Sequence, residues 1–354
     1  MRRSTRVVAL AAAALSVLAV VTGCSRADRT DDAAAAPADQ GPASEVRLGY
    51  FPNVTHASAL IGLDQNLFAQ HLGNTKLVPT KFNAGPEEVN ALLGGSLDIG
   101  FIGSGPAISA YSQSNGDAVR LIAGATSGGA QLVVKPEINT PQDLQGKTVA
   151  SPQLGNTQDV ALKKWISEGK LSGVNVQNID NALTLDQFKQ GAIQGAWLPE
   201  PWASRLVLEA GAKVLVDEKD LWPGGQFPTT VLIVRTQFLR EHPATVTAIL
   251  QGLLDANTLA DTDPAKAKAA VNNQLQQLTG KALAASTLDR AWDGIHLTTD
   301  PLAGQFPQLA RDQVTAGVKK TAPEVAGFAD LTLLNTVLAQ AGKPTVSASG
   351  LDRK

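Results

Sequence analysis

"FNAGPEEVNALLGGSLDIGFIGSGPAISAYS", residues 82–112, is the stretch from which the fold can be read. It predicts a helix, a Gly-rich turn, a short buried strand, and a second Gly-rich turn at the mouth of another helix. A strand that hands over to a helix in this way leaves the first backbone N–H groups of that helix without intrahelical acceptors. Glycine at 103 and 105 lets a ligand approach the bare backbone, Pro106 has no donor to lose in the first turn, and Ser104 adds a hydroxyl. Such a terminus attracts anions. The same residues also make an ordinary tight turn with a serine cap, and both readings stand at this point.

Outward from this stretch, β-rich runs alternate with helical ones from Glu45 onward: "EVRLGYF", "SALIGLDQNLFAQHL", "KLVPTKF", "PEEVNALLGG", "LDIGFIG". The alternation predicts a mostly parallel sheet wrapped by helices. A second series follows, with "KTVASP", a helix over 157–168, "VNVQNI", a helix near 185–190, "IQGAWLP" and a helix through Arg205. The two series align internally. Gly95-Ser96-Leu97-Asp98-Ile99-Gly100 matches Gly191-Ala192-Ile193-Gln194-Gly195-Ala196, which sets the Gly103 to Ala107 turn opposite Pro199-Glu200-Pro201-Trp202-Ala203. Both loops then fall at carboxyl ends of strands, where open α/β sheets bind ligands. After Phe227 come the strand-like "TTVLIVR" and a helical region from Pro243 to about Leu338, expected to return to the first unit and cover it.

The N-terminus reads as an export signal over residues 1–23: Arg2, Arg3 and Arg6, then an apolar run over 7–21 too short for a comfortable span. It closes on Val21-Thr22-Gly23-Cys24, which resembles a bacterial lipoprotein box with Cys24 as the lipidated residue. Residues 24–44 hold no large apolar side chain and are expected to form a disordered tether. Cys24 is the one cysteine, which excludes a disulfide framework, a thiol redox pair and a Cys-based zinc site. Loss of the three arginines takes the formal charge from −2 to −5, so nucleic acid is not expected as a partner.

Taken together, "VRLGYFPNVTHASALIG", "FNAGPEEVNALLGGSLDIGFIGSGPAI", "DLQGKTVASPQLGNTQDVAL" and "GAWLPEPWASRL" resemble the solute-binding proteins of bacterial ABC importers, in the group serving nitrate, aliphatic sulfonates and taurine. The resemblance covers roughly 45–338. It implies an α/β, type II periplasmic-binding-protein fold: two α/β lobes joined by two crossovers near 131–136 and 225–229, with a ligand cleft between them. Lobe 1 would comprise 45–131 plus 227–354 and lobe 2 would comprise 132–226. It also implies a monomer that delivers its ligand to a membrane permease when the lobes close.

Three helix starts supply the expected site. The first holds Gly103, Ser104 and Gly105; the second Asn53, Thr55 and His56; the third, from the other lobe, Gly155, Asn156 and Thr157. Bonds to a charged group contribute on the order of 1.5–3 kcal/mol each, so four to six of them hold a small oxyanion without any full positive charge. Thr126 and Ser127, in "ATSGGAQ", are further donors or plain hinge residues. Glu200 would pair with an amine on a zwitterionic ligand, or else cap its helix or pair with Arg205; Trp197 reads as core and Trp202 as cleft wall.

Catalysis finds no support in the chain. Enzymes on this fold resemble a pattern rich in cysteine and histidine, whereas His56, His71, His242 and His296 are scattered, with no H-E-x-x-H and no G-x-S-x-G. No metal and no cofactor are expected. The donor set ranks aliphatic sulfonate first, then taurine, then nitrate or bicarbonate; with 5% aromatic residues, a pyrimidine precursor comes last. The expected location is the extracytoplasmic face of the cell membrane, held by lipid.

Overall fold

The computed structural model describes residues 39–353, and all structural statements concern these; the export signal, Cys24 and the tether up to residue 38 lie outside them. The end of the segment read as a tether is held in place from Gln40 on. Gln40 N donates to Glu241 O at 2.8 Å and Ala43 N to Thr245 Oγ1 at 2.9 Å, so hydrogen bonds to the covering helices order a segment that has little to bury.

Eleven strands form two sheets. The first has the order β11-β4-β10-β3-β1-β2, built from β1 (Glu45–Tyr50), β2 (Lys76–Lys81), β3 (Ile99–Gly103), β4 (Val119–Gly128), β10 (Pro228–Arg235) and β11 (Ile295–Leu297). The second has the order β7-β6-β8-β5-β9, built from β5 (Ala130–Val134), β6 (Thr148–Ser151), β7 (Asn175–Asn178), β8 (Gly195–Pro199) and β9 (Lys213–Asp217). Between strands, parallel pairing is confined to β1 with β2 and β3, and β6 with β7 and β8. The expected mostly parallel sheets are therefore mixed. β5 and β10 enter from the other sheet and run antiparallel to both their neighbours.

The passages between sheets explain this reversal. β4 ends at Gly128 and β5 starts at Ala130, so the chain crosses through Gly128 and Gly129, at φ +79° and +77°. This lies before the expected 131–136, because Gln131 is already paired within the second sheet. A side chain at 129 would also meet Ile295 Cγ2 at 2.5 Å, so only glycine fits there. The return runs through two short 3-10 turns, Glu218–Leu221 and Pro223–Gly225, into β10.

The aligned halves carry the same local geometry. Gly95 and Gly191, at φ +74° and +77°, each end a helix before the strand that opens toward the cleft. In the second sheet, period-two alternation puts Val133, Ala196 and Leu198 on one core face and Leu132, Val134 and Trp197 on the other. The helices Pro243–Thr262 and Pro264–Thr279 pack on Ala57–Asp64, as expected of a return to the first unit. The helical reading from 243 onward is broken by β11, however. The helices beside it reach across: Ala285–Asp293 packs on Trp202–Ala210, and Phe306–Thr315 on Thr157–Glu168.

One buried acid stands out in the first core. Glu88 is fully buried and neither carboxyl oxygen has a hydrogen-bond partner. The group lies against Gly49 and Gly100, where a Cβ would come within 2.2 and 2.4 Å of Oε1. Burial raises its pKa well above the ordinary value, so the native state holds it protonated. Its contribution to stability is then full below about pH 4.5, the unfolded value, and declines as pH rises toward the folded value, at about 1.4 kcal/mol per unit. Glu88→Gln should leave the melting temperature nearly unchanged at pH 4 and raise it progressively toward pH 8; equal melting curves for both proteins across that range would refute the assignment.

Candidate functional site

At the carboxyl ends of β1, β3 and β6, and the start of β10, residues from both sheets enclose a cavity of about 30 Å³. That is room for a few atoms. Of the residues singled out in the sequence, Asn53, Thr55, His56, Gly103, Asn156 and Thr157 line it. No lysine, arginine, aspartate or glutamate does.

His56 is held by its own turn. Its Nδ1 accepts a hydrogen bond from Phe51 N at 3.2 Å, its ring lies 4.3 Å from that of Phe51, and burial lowers its pKa to about 3. The imidazole is therefore neutral, and with Nδ1 accepting, the ring proton sits on Nε2 as a donor. Thr55 Oγ1 donates to Asn53 Oδ1 at 2.9 Å, which turns the Asn53 amide so that its Nδ2 hydrogens remain available.

Helix starts from the two sheets meet beside the cavity. Gly105 N donates to Thr157 Oγ1 at 3.2 Å, and Gly85 N, at the head of the helix Gly85–Leu93, donates to Asn156 Oδ1 at 3.2 Å. A Cβ at Gly85 would come 2.2 Å from Pro106, which is why these helix heads approach so closely. Fully buried Asp159 fixes the facing loop: it accepts from Gly155 N, Ser151 Oγ, Asn178 Nδ2 and Lys163 Nζ at 2.7–2.9 Å. Gly155 thus serves the turn, at φ +79°, and does not line the cavity.

Three hydroxyls in this region are buried without partners: Ser104, Thr126 and Thr230. Thr230 pairs in register with Thr126 on one side and with Gly103 on the other, and Ser104 follows Gly103 at the head of its helix. Ser127, by contrast, is occupied, its Oγ accepting from Phe227 N at 3.2 Å.

Glu200 does not face the cavity. Its Oε2 accepts from Ser204 N at 3.1 Å, the capping role, and its Oε1 from Arg290 Nη1 at 3.2 Å. Arg290 also donates to Ser204 Oγ and to Gln131 Oε1, each at 2.7 Å. The carboxylate is thus engaged within the chain, away from the cavity. Arg205 pairs instead with Glu209 at 2.9 Å and lies over Trp202, which lines a separate cavity of about 430 Å³.

A family model matches this chain over residues 39–273, the NMT1-like family. The chain belongs to the NMT1-like family. Among its relatives, a taurine-binding periplasmic protein of Escherichia coli K12 is 33% identical over 222 residues, 61% of this chain and 67% of that protein. A bicarbonate-binding protein, CmpA, of Synechococcus is 24% identical over 253 residues, 64% of this chain but 56% of its own length. Both are binding proteins. The alkanesulfonate-binding protein SsuA of Xanthomonas axonopodis pv. citri, bound to MOPS, has a TM-score of 0.64 at 22% identity, covering 79% of this chain and 96% of that one. The nitrate-binding protein NrtA of Synechocystis has a TM-score of 0.70 at 13% identity, covering 85% and 90%. The type II periplasmic-binding fold expected from the sequence is the fold of this NMT1-like chain.

The NMT1-like chain also brings residues to the cavity that the sequence reading passed over. Thr229 and Thr230 open β10, Ala84 heads a fourth helix start, and Asn181 contributes an amide oxygen that is buried and unpartnered. A signal existed for the first two, since "PTT" directly follows the return passage; "NAGP", with proline in the first turn, marks the fourth start.

Proposed function

We propose that the protein is the extracytoplasmic substrate-binding component of an ABC importer, capturing a small organic oxyanion, an aliphatic sulfonate first, and delivering it to a membrane permease. The reading takes the protein as a monomer of two lobes, one built on the first sheet and the other, entered after Gly129, on the second. The observation that carries it is a cavity lined by residues from both sheets, all of them neutral, with the unpartnered hydroxyl of Thr230 in its wall and those of Thr126 and Ser104 adjoining. A ligand oxyanion would satisfy those hydroxyls and the Nε2–H of His56 in one step. Asn53, Gly103, Ser104, Thr126, Asn156, Thr157 and Thr230 complete the proposed set.

The test is a thermal-shift and calorimetric screen of the chain from residue 39 against ethanesulfonate, taurine, nitrate and bicarbonate. Ligand at about 100 times its dissociation constant adds roughly 2.7 kcal/mol, which should raise the melting temperature by several degrees. No shift with any of the four would refute the oxyanion assignment. Taurine is a second reading: the unpartnered Asn181 Oδ1 could accept from its ammonium, and the E. coli relative is named for it. Asn181→Leu should then weaken taurine and spare ethanesulfonate. The proposed lipid anchor at Cys24 has its own check, since Cys24→Ser should move the protein from the membrane fraction to the soluble one.

A further inference from the structure

Thr157 lines a second, much larger cavity, of about 520 Å³. Its walls come from the helix Thr157–Glu168 and the turns at 218–223 on the second-sheet side, and from 304–312 on the first-sheet side. Trp165 and Trp222 are its aromatic surfaces, each already fixed: Trp165 packs edge-on to Trp197 at 6.0 Å, and Trp222 stacks on Phe227 at 6.2 Å.

The charge around it is unbalanced. Three carboxyls, Glu168, Glu218 and Asp312, face one cation, Lys164, which is bonded to Glu168 at 2.8 Å. Glu218 and Asp312 are both buried, and neither has an ion-pair partner among the described residues. Neutral donors hold them, Trp197 Nε1 to Glu218 and Gln308 Nε2 to Asp312, each at 2.7 Å. Burial drives both pKa values up, that of Glu218 to about 7 despite the indole bonds from Trp197 and Trp222 and the more distant Lys164. Two desolvated acids beside two indoles suit a weakly hydrated cation, since the ring faces attract positive charge and the carboxyls lack it.

We propose that this cavity is a second binding site, taking an organic cation with an apolar body, of the alkylated ammonium class, between Trp165 and Trp222 and the carboxyls of Glu218 and Asp312. Because its walls come from both sheets, the occupant holds them together independently of the oxyanion.

Choline chloride is the probe, with dimethylbutanol as its uncharged carbon isostere, each titrated calorimetrically into the chain from residue 39 at pH 8. Choline should bind saturably with a dissociation constant below ~1 mM, and the isostere at least ~10-fold more weakly. Trp222→Leu and Asp312→Asn should each weaken choline by about 5-fold or more while leaving any ethanesulfonate response intact. The wild-type comparison of probe and isostere needs no variant, so a poorly folding Asp312→Asn does not blunt the test. Three outcomes overturn the proposal: no saturable heat up to ~10 mM choline, equal affinity for the isostere, or unchanged choline affinity in both variants.

Discussion

Arg290→Met should lower the melting temperature at pH 7.5 by roughly 3–6 °C. Glu200 is 1% exposed, and Arg290 is its one cation, reaching from the helix Ala285–Asp293 to three acceptors on the second-sheet side. Removing one partner of a buried pair typically costs about 3–5 kcal/mol, because the remaining charge is left desolvated. Two facts trim the figure here to about 2–4 kcal/mol: the guanidinium is a quarter exposed, and burial raises the Glu200 pKa, so a stranded carboxyl takes up a proton more readily than an ordinary one. The deficit should shrink as pH falls and Glu200 takes a proton. Adding Glu200→Gln to Arg290→Met should restore several degrees, since no carboxylate is then stranded. A melting temperature within a degree of wild type for Arg290→Met would show that the ion pair carries no net stabilisation.

The second large effect separates affinity from stability. Ser104→Ala with Thr230→Val should weaken oxyanion binding by roughly 10²–10⁴, at about 1.5–3 kcal/mol for each hydrogen bond to a charged ligand. In the ligand-free protein the same pair removes two buried hydroxyls that have no partner, so its melting temperature should hold or rise. A matched fall in both quantities would mean that the hydroxyls serve the fold, and an affinity within twofold of wild type would remove them from the site.

How much of this was legible in the chain depends on the range of the forces involved. The helix starts at Ser104 and Thr157, the buried strand over 99–103 and the turn at 53–56 are local, and glycine, proline and apolar spacing specify them within a few residues. The mixed direction of the sheets was not legible, because β5 and β10 read the same forwards as backwards in an apolar pattern, and only the crossing at Gly128 and Gly129 fixes their sense. The cap that Glu200 makes was among the readings its context offered, but its ion-pair partner was hidden for a similar reason. Its local context offered Arg205, four residues into the following helix, whereas the partner that wins lies 90 positions away. Thr230 was passed over because a threonine in a β-rich run is ordinary, and only the strand register puts it beside the unsatisfied hydroxyl of Thr126 and next to the turn that carries Ser104.

The neutral lining of the small cavity has a consequence for where such a protein could work. Dissolved ions weaken an attraction between full charges over about 8–10 Å at physiological ionic strength, but they have little purchase on short dipolar contacts in a dry enclosure. The grip proposed for the oxyanion, of hydroxyls, amides and an uncharged imidazole, is of this second kind. A receptor outside the cytoplasmic membrane meets whatever salinity its surroundings impose, and one built this way would hold its anion nearly as tightly in brine as in fresh water.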